Sequence, residues 1–237
     1  MTYKEIMSRL EALSSHDPKD LAGMARFGIN VDKAWVISIP KLRKLAAEIG
    51  RDHSLAQEVW DSGIHEAKIL AAFIDDPKEV TEKQMEEWVL GFDSWDVTDM
   101  VCGNLFDHSS LAIQKATEWS TRDEEFVKRA GFVLMAALAV HNKTMPDSRF
   151  VEFLDIIKKE VGDSRNFVRK AINWALRQIG KSRNQHLYIA AIDTANEILK
   201  LAQDDKSGWS ASESKAARWI ARDALRELEK GYIRKRF

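Results

Sequence analysis

The chain has 237 residues, of which 45% are hydrophobic and 31% are charged, and a single cysteine, Cys102. A chain of this length buries about 70% of its unfolded surface on folding, so it needs no stabilising metal, and one cysteine excludes an internal disulfide. No apolar run approaches the roughly 20 residues that span a bilayer, and no basic, apolar leader opens the chain. We therefore expect a cytoplasmic protein with no membrane contact.

Charge is distributed unevenly along the chain, although the formal net charge is −1. Residues 1–120 carry 13 Lys and Arg against 21 Asp and Glu, whereas residues 121–237 carry 23 against 16. A positive half is typical of a protein with one region that faces a polyanion. An ordinary solvated surface would have the same composition, so the positions of the basic residues on helix faces must decide between the two.

Four prolines and the lack of sustained alternation of β-branched residues predict an all-α protein. Helix start and stop signals predict helices, in chain order, at about 2–14, 17–28, 40–48, 54–61, 65–74, 81–90, 94–106, 110–119, 121–140, 147–162, 167–179, 184–201 and 210–230. Predicted capping boxes pair Thr81 with Gln84, Thr121 with Glu124 and Ser210 with Glu213, and Gly180 is a predicted helix end. We expect the basic tail, residues 231–237, to be frayed.

The second half of the chain contains an internal repeat. Phe126–Ala136 reads FVKRAGFVLMA, and Phe167–Arg177, 41 positions later, reads FVRKAINWALR. The string KAINWALR of Lys170–Arg177 returns 45 positions later as KAARWIAR, Lys215–Arg222. These intervals match the roughly 40–47-residue hairpin of HEAT and armadillo repeats. We therefore predict one α-solenoid domain over 1–237, of about twelve to thirteen helices, with one concave surface.

The helix that Ser94 is expected to cap has an unusual face. Trp95 and Asp99 lie four residues apart and are therefore neighbours on it, while the opposite face is apolar. An aromatic ring beside a carboxylate suits a cationic ligand. A Trp is more often part of a core, and Asp96 in the first turn can simply complement the helix dipole. Asp99 lies in the second turn, where the dipole has less effect, and it is the stronger candidate.

The repeated helices present a second candidate surface, a basic band. One face of the helix after Asn166 carries Lys170, Trp174, Arg177 and Lys181, and the last helix repeats the pattern with Lys215, Trp219, Arg222 and Arg226. Arg129 takes the Lys170 position in the preceding repeat. On one helix, such side chains could merely solvate the surface with their stems over the Trp rings. Three helices in register favour contact with a nucleic-acid backbone, without base-specific readout.

The chain lacks the common cofactor motifs. It has no glycine-rich phosphate loop, HExxH sequence, cysteine cluster or G-x-S-x-G elbow. His65, at a predicted helix start, is interpreted as a cap or a surface residue. We therefore expect no metal and no nucleotide cofactor, which leaves open hydrolysis by a carboxylate and aromatic rings.

Five stretches resemble the DNA alkylation repair family of HEAT-like-repeat glycosylases, the AlkD-like proteins. They are MARF at Met24–Phe27, ISIPKLRKLAAEIG at Ile37–Gly50, SWDVTDMV at Ser94–Val101, FVKRAGF at Phe126–Phe132 and FVRKAINWALRQ at Phe167–Gln178. The resemblance covers nearly the whole chain. It implies a DNA N-glycosylase that removes cationic alkylated purines, such as 3-methyladenine and 7-methylguanine, from duplex DNA. We expect the protein to be a monomer.

The resemblance also implies roles for individual residues. Asp99 would be the catalytic carboxylate, and Trp95 and Trp174 would flank the lesion. Arg129 would hold the phosphate backbone, and Phe27 stands near the DNA where characterised members have Tyr. Together with the basic band, the predicted DNA-contact residues are Arg129, Lys128, Lys170, Arg177, Lys181 and Phe27. The alternative is a non-catalytic HEAT-repeat scaffold that binds DNA or a protein through the same surface.

Overall fold

The computed structural model describes residues 1–15, 17–182, 184–203 and 208–235, with side chains for all of these except 182 and 231–235. These residues form thirteen α-helices, one 3-10 helix and no strand. Contacts divide the chain into two compact units, Met1–Leu111 and Ala112–Phe237. The predicted single domain over 1–237 stays a prediction. None of the described helices has both the length and the apolar character required to cross a membrane.

The first unit contains seven α-helices and the 3-10 helix Phe106–His108. Its α-helices are α1 Tyr3–Leu13, α2 Pro18–Arg26, α3 Ile39–Ile49, α4 His53–Asp61, α5 His65–Ile74, α6 Glu82–Leu90 and α7 Trp95–Asn104. The second unit contains α8 Ala112–Trp119, α9 Glu125–His141, α10 Asp147–Glu160, α11 Asn166–Ser182, α12 Gln185–Leu201 and α13 Ala211–Lys235. The sequence predicted every one of these α-helices.

Two predicted capping boxes differ in outcome. The Ser210 box is confirmed, because Glu213 N donates to Ser210 Oγ at 3.3 Å and Ser210 N donates to Glu213 Oε2 at 2.7 Å. The Thr121 box is wrong. Thr121 Oγ1 donates back to the carbonyl of Glu118 at 3.0 Å, which closes α8, and α9 begins only after Glu124.

Two predicted helix ends are also wrong. Gly180 does not end α11, which continues to Ser182. A β-carbon at Gly180 would lie 2.6 Å from Leu228 Cδ2 and 3.0 Å from Ala191 Cβ, so the glycine allows α11 to pack closely against α12 and α13. The last helix runs to Lys235 rather than to Lys230. Of the predicted frayed tail, the side chains of 231–235 and all of 236–237 lie outside the described residues.

Stacked aromatic rings form the core of the first unit. The Trp60 ring of α4 and the Trp88 ring of α6 lie 4.1 Å apart and only 4° from parallel. Phe92 and Phe106 pack around them, each with its ring centroid 6.1 Å from one of the two indoles. Large buried rings contribute strongly to stability. This cluster fixes the chain on both sides of α7, and Cys102 of α7 is a buried thiol, as predicted.

Helix α9 is the centre of the second unit. All of its residues from Val127 to Ala139 are buried, and it packs against α8 and α11. The rings of Phe126 and Phe167, which occupy equivalent repeat positions, stack at 5.6 Å. The 41-residue repeat in the sequence therefore places matching residues of α9 and α11 side by side.

Gly131 permits the close approach of α9 to the end of α8. A β-carbon at Gly131 would lie 2.4 Å from the backbone N of Ser120 and 2.8 Å from its Cα. Backbone cannot move aside as a flexible side chain can, so Gly131→Ala should lower the free energy of unfolding by about 1 to 3 kcal/mol. Urea unfolding monitored by circular dichroism measures this change.

The matched control is Gly103→Ala in α7, where an added β-carbon meets nothing within 4 Å. Because alanine favours helix over glycine, this variant should be as stable as wild type or up to about 1 kcal/mol more stable. Equal stability of the two variants would contradict the proposed close approach.

Candidate active site

Trp95 and Asp99 lie on α7 and are both half-buried. The indole Nε1 of Trp95 donates a hydrogen bond of 3.1 Å to the backbone carbonyl of Phe27, at the end of α2. This hydrogen bond fixes the orientation of the Trp95 indole ring. Asp99 follows one helical turn later. Phe27 itself is 63% exposed, with the Arg26 guanidinium 5.1 Å from the centre of its ring.

The first turn of α7 is anchored by a buried polar cluster. Asp96 accepts hydrogen bonds from Ser94 Oγ at 2.6 Å and from His65 Nε2 at 2.8 Å. Ser94 is the N-cap residue of α7, as predicted, but its hydroxyl bonds to Asp96 instead of a helix N–H. The prediction that His65 is a cap or surface residue is wrong, since it is only 5% exposed. Asp96 orients α7, which leaves Asp99 as the candidate catalytic carboxylate.

Glu66, the neighbour of His65, holds the loop between α2 and α3. Its two carboxylate oxygens accept hydrogen bonds from Trp35 N at 2.8 Å and Ile37 N at 3.2 Å. Between these amides lies Val36, which has a φ of 57°, a strained value for a β-branched residue. Adjacent residues of α5 therefore fix both the loop that follows Phe27 and the helix that carries Trp95.

The pair of His65 and Asp96 is charged in the folded protein. Burial opposes the charge on His65, but the hydrogen bond that His65 donates to Asp96 and the negative charges around the ring raise the pKa of His65 above its usual 6.5. Burial likewise opposes the charge on Asp96, but the hydrogen bond and charge of His65 lower the pKa of Asp96 below its usual 3.8. Both shifts favour the ion pair near neutral pH.

In the second unit, Arg129 and Lys128 lie mostly buried between helices. Arg129 Nη1 donates to the carbonyl of Phe167 at 2.6 Å. Lys128 Nζ lies 2.7 Å from Glu160 and 3.4 Å from Asp163. Both cations thus connect α9 to the chain around the start of α11. Their predicted contact with DNA phosphates stays a prediction.

The predicted basic band contains carboxylates that sequence reasoning missed. The amide of Asn173 in α11 donates to the carbonyl of Ile220 in α13 at 3.0 Å and fixes the alignment of the two helices. That alignment places Arg177 at 4.0 Å from Asp223, and Lys181 at 3.3 Å from Glu227. Asp223 lies four residues after Trp219, a spacing that could have revealed it on the same face.

Three further residues of α11 lie in or beside the predicted basic band. Lys170 is exposed, and Trp174, one turn later, is half-buried. Arg169, which the sequence analysis did not select, lies with its guanidinium 5.1 Å from the ring centre of Trp219. The structure therefore brings together Phe27, Trp95 and Asp99 in the first unit, and Lys170 and Trp174 in the second. Lys128, Arg177 and Lys181 each face a carboxylate.

A chain of thirteen described α-helices, with matching residues of successive hairpins in contact, is a helical-repeat protein. The model of a family described as DNA alkylation repair enzyme matches residues 6–228. The chain belongs to this family, as the sequence resemblance predicted. No curated protein matches the chain in sequence.

The fold is also similar to a solved structure described as "A new family of proteins related to the HEAT-like repeat DNA glycosylases with affinity for branched DNA structures". The similarity has a TM-score of 0.73 at 21% identity, and covers 95% of this chain and 96% of that one. At this identity the likeness shows the fold alone. The all-α, HEAT-like-repeat fold class is confirmed.

The His65–Asp96 pair should make stability depend on pH. A raised His pKa contributes stability that is complete below about pH 6.5 and is lost as the pH rises through the folded-state pKa; a lowered Asp pKa contributes stability that is lost only in acid. Wild type should therefore lose unfolding free energy as the pH rises above 6.5. The His65→Gln variant should lack this loss and be about 3 kcal/mol less stable at pH 6.

Urea unfolding at a series of pH values from 5 to 9 measures both effects. The exposed His186, substituted by Gln, is the control that should retain the wild-type curve. An equally steep decline in the His65→Gln variant would show that another group is responsible.

Proposed function

We propose that the protein is a DNA N-glycosylase that hydrolyses the N-glycosidic bond of cationic alkylated purines, such as 3-methyladenine and 7-methylguanine, in duplex DNA. The observation that carries this proposal is the fixed Trp95 indole with the Asp99 carboxylate one turn away, within a chain of the DNA alkylation repair enzyme family. We propose further that it acts as a monomer in the cytoplasm, in keeping with one buried cysteine and no disulfide.

The chemistry follows from the charge of the lesion. A purine that alkylation has made cationic is already a good leaving group, so the reaction needs little acid catalysis. Positive charge then develops on the deoxyribose as the bond to the base breaks. Asp99 would stabilise that charge and accept the proton of the attacking water. Trp95 and Trp174 would each add a cation–π attraction of roughly 0.5 to 2 kcal/mol to the cationic nucleotide.

DNA binding in this proposal comes from backbone contacts. Lys170 is exposed and is the most accessible of the predicted DNA-contact cations. Arg129 and Lys128 of α9 would contribute contacts to the DNA phosphates. Arg177 and Lys181 would contact phosphates by exchanging their carboxylate partners for them. Phe27 would place an exposed ring, without the Tyr hydroxyl, next to the Trp95 indole.

A second candidate function is DNA binding without base excision. One observation favours it: the solved protein of similar fold is described as having affinity for branched DNA structures. Here Trp95 and Asp99 would be a binding surface. Duplex or branched DNA affinity with no release of base would distinguish this function from the first.

Asp99→Asn should lower the rate of 7-methylguanine release from methylated duplex DNA by about 100-fold or more, because the amide cannot stabilise the sugar cation. Mass spectrometry of the released base under single-turnover conditions measures the rate. The matched control is Asp61→Asn, an exposed carboxylate at the end of α4, which should react as wild type does. Equal rates for Asp99→Asn and wild type would remove the catalytic role of this carboxylate.

Trp95→Phe keeps an aromatic ring but removes the hydrogen bond to Phe27. Because the orientation of the ring is then no longer fixed, the single-turnover rate should fall about 5- to 10-fold. A change of this size corresponds to the free energy of one ordinary hydrogen bond. Trp95→Ala also loses the ring and should be slower still. If both variants react at the wild-type rate, the indole has no part in the reaction.

A further inference from the structure

The facing surfaces of α11 and α13 divide into two halves of different charge. In the C-terminal half, Arg177 and Lys181 lie near Asp223 and Glu227. Arg226 and Lys230 of α13 pair with the same two carboxylates. Each of these four cations therefore lies beside a carboxylate, and the two carboxylates offset half of their positive charge.

The N-terminal half has a different composition. It contains the half-buried Arg169 and the exposed Lys170 on α11, and the exposed Lys215, Trp219 and Arg222 on α13. Within the described part of the chain, none of its four cations lies within ion-pair distance of a carboxylate. We call these five residues the Trp219 patch. It keeps its positive charge for an external anion.

Trp219 is the aromatic centre of the Trp219 patch. It is 38% exposed, a high value for a tryptophan, and the Arg169 guanidinium lies 5.1 Å from its ring centre. Arg169 is held in turn by a hydrogen bond of 3.3 Å from its Nη2 to Asn166 Oδ1. Lys215 lies one turn before Trp219 and Arg222 one turn after it, so both are its neighbours on the helix. The ring is thus supported by one cation and flanked by two others.

We propose that the Trp219 patch binds an unpaired nucleobase of a DNA strand, with the base stacked on the exposed part of the Trp219 ring and the flanking phosphates on Lys215, Arg222 and Lys170. A positively charged surface with an exposed aromatic ring is the arrangement that binds single-stranded nucleic acid. A fully paired duplex offers no free base face except at its ends. The patch therefore selects forks, gaps and junctions over continuous duplex. This rests on the DNA binding proposed above and assigns a site and a recognised feature, an unpaired base, to it.

Binding of a forked DNA oligonucleotide by wild type and variants tests this proposal. Trp219→Ala should weaken affinity for the fork about 10-fold, since stacking on one aromatic side chain has an effect of this size, and should change affinity for continuous duplex little. Trp219→Phe keeps a stacking surface and should restore most of the affinity. Thermal melting of each variant establishes that it is folded.

A matched pair of lysines on α13 tests the charge division. Lys215→Gln removes a cation of the Trp219 patch and should weaken fork binding and reduce its salt dependence. Lys230→Gln removes a cation that already faces Glu227 at 3.7 Å, and should bind as wild type does. Equal effects of the two substitutions would overturn the assignment of the patch.

A fluorescent base reports stacking directly. With 2-aminopurine at the unpaired position of the fork, wild type should quench the fluorescence on binding, whereas Trp219→Ala should not. Equal quenching by both proteins, or an equal loss of fork and duplex affinity in Trp219→Ala, would overturn the proposal. Base release from methylated duplex is measured separately, so a protein that releases no base can still satisfy this test, and an active glycosylase can still fail it.

Discussion

The buried ion pair between His65 and Asp96 is the constraint on which the candidate active site depends. Removing two charged groups from water is costly, and the cost is offset only when both hold good geometry and further hydrogen bonds. Ser94 supplies one of these to Asp96, and the hydrogen bond of His65 N to the Lys33 carbonyl places the start of α5 against the loop. The face of α7 that carries Asp99 is thereby set before any ligand binds. Preorganised charge of this kind is what stabilises a developing cation most effectively.

The parts of the fold that could be predicted are those that local sequence signals determine. The α-helices follow from apolar periodicity and cap residues, which act within a few positions of each other, and so all thirteen were found. The errors have two different causes. The Thr121 hydroxyl bonds to the carbonyl of Glu118, only three residues earlier, so one local partner prevails over another. Gly180 packs against Leu228 of α13, a tertiary contact that a short window of sequence does not show.

The site was predictable to the extent that it lies on one helix. Trp95 and Asp99 share a face of α7 because of their spacing alone, whereas the carbonyl that accepts the hydrogen bond of Trp95 belongs to Phe27, 68 positions earlier. The partners of Arg177 and Lys181 depend on how α11 and α13 align. Matching repeat strings suggested that Trp219 corresponds to Trp174, but the contact that forms is with Arg169. Equivalent positions in two repeats therefore do not have to make the same contacts.

Internal neutralisation changes how a basic face can bind DNA. A phosphate that approaches Arg177 or Lys181 must displace Asp223 or Glu227, so the net gain is smaller than for a free cation, and fewer counterions are released. The pKa of Glu227 is lowered chiefly by its hydrogen bond with Lys181, so the carboxylate stays charged and competes with phosphate at neutral pH. Affinity for DNA in the second unit should therefore concentrate on the cations without such partners. Those cations lie around Trp219, where positive charge and an exposed aromatic ring occur together. This arrangement is better suited to binding an exposed base than to binding the phosphate backbone of a continuous duplex.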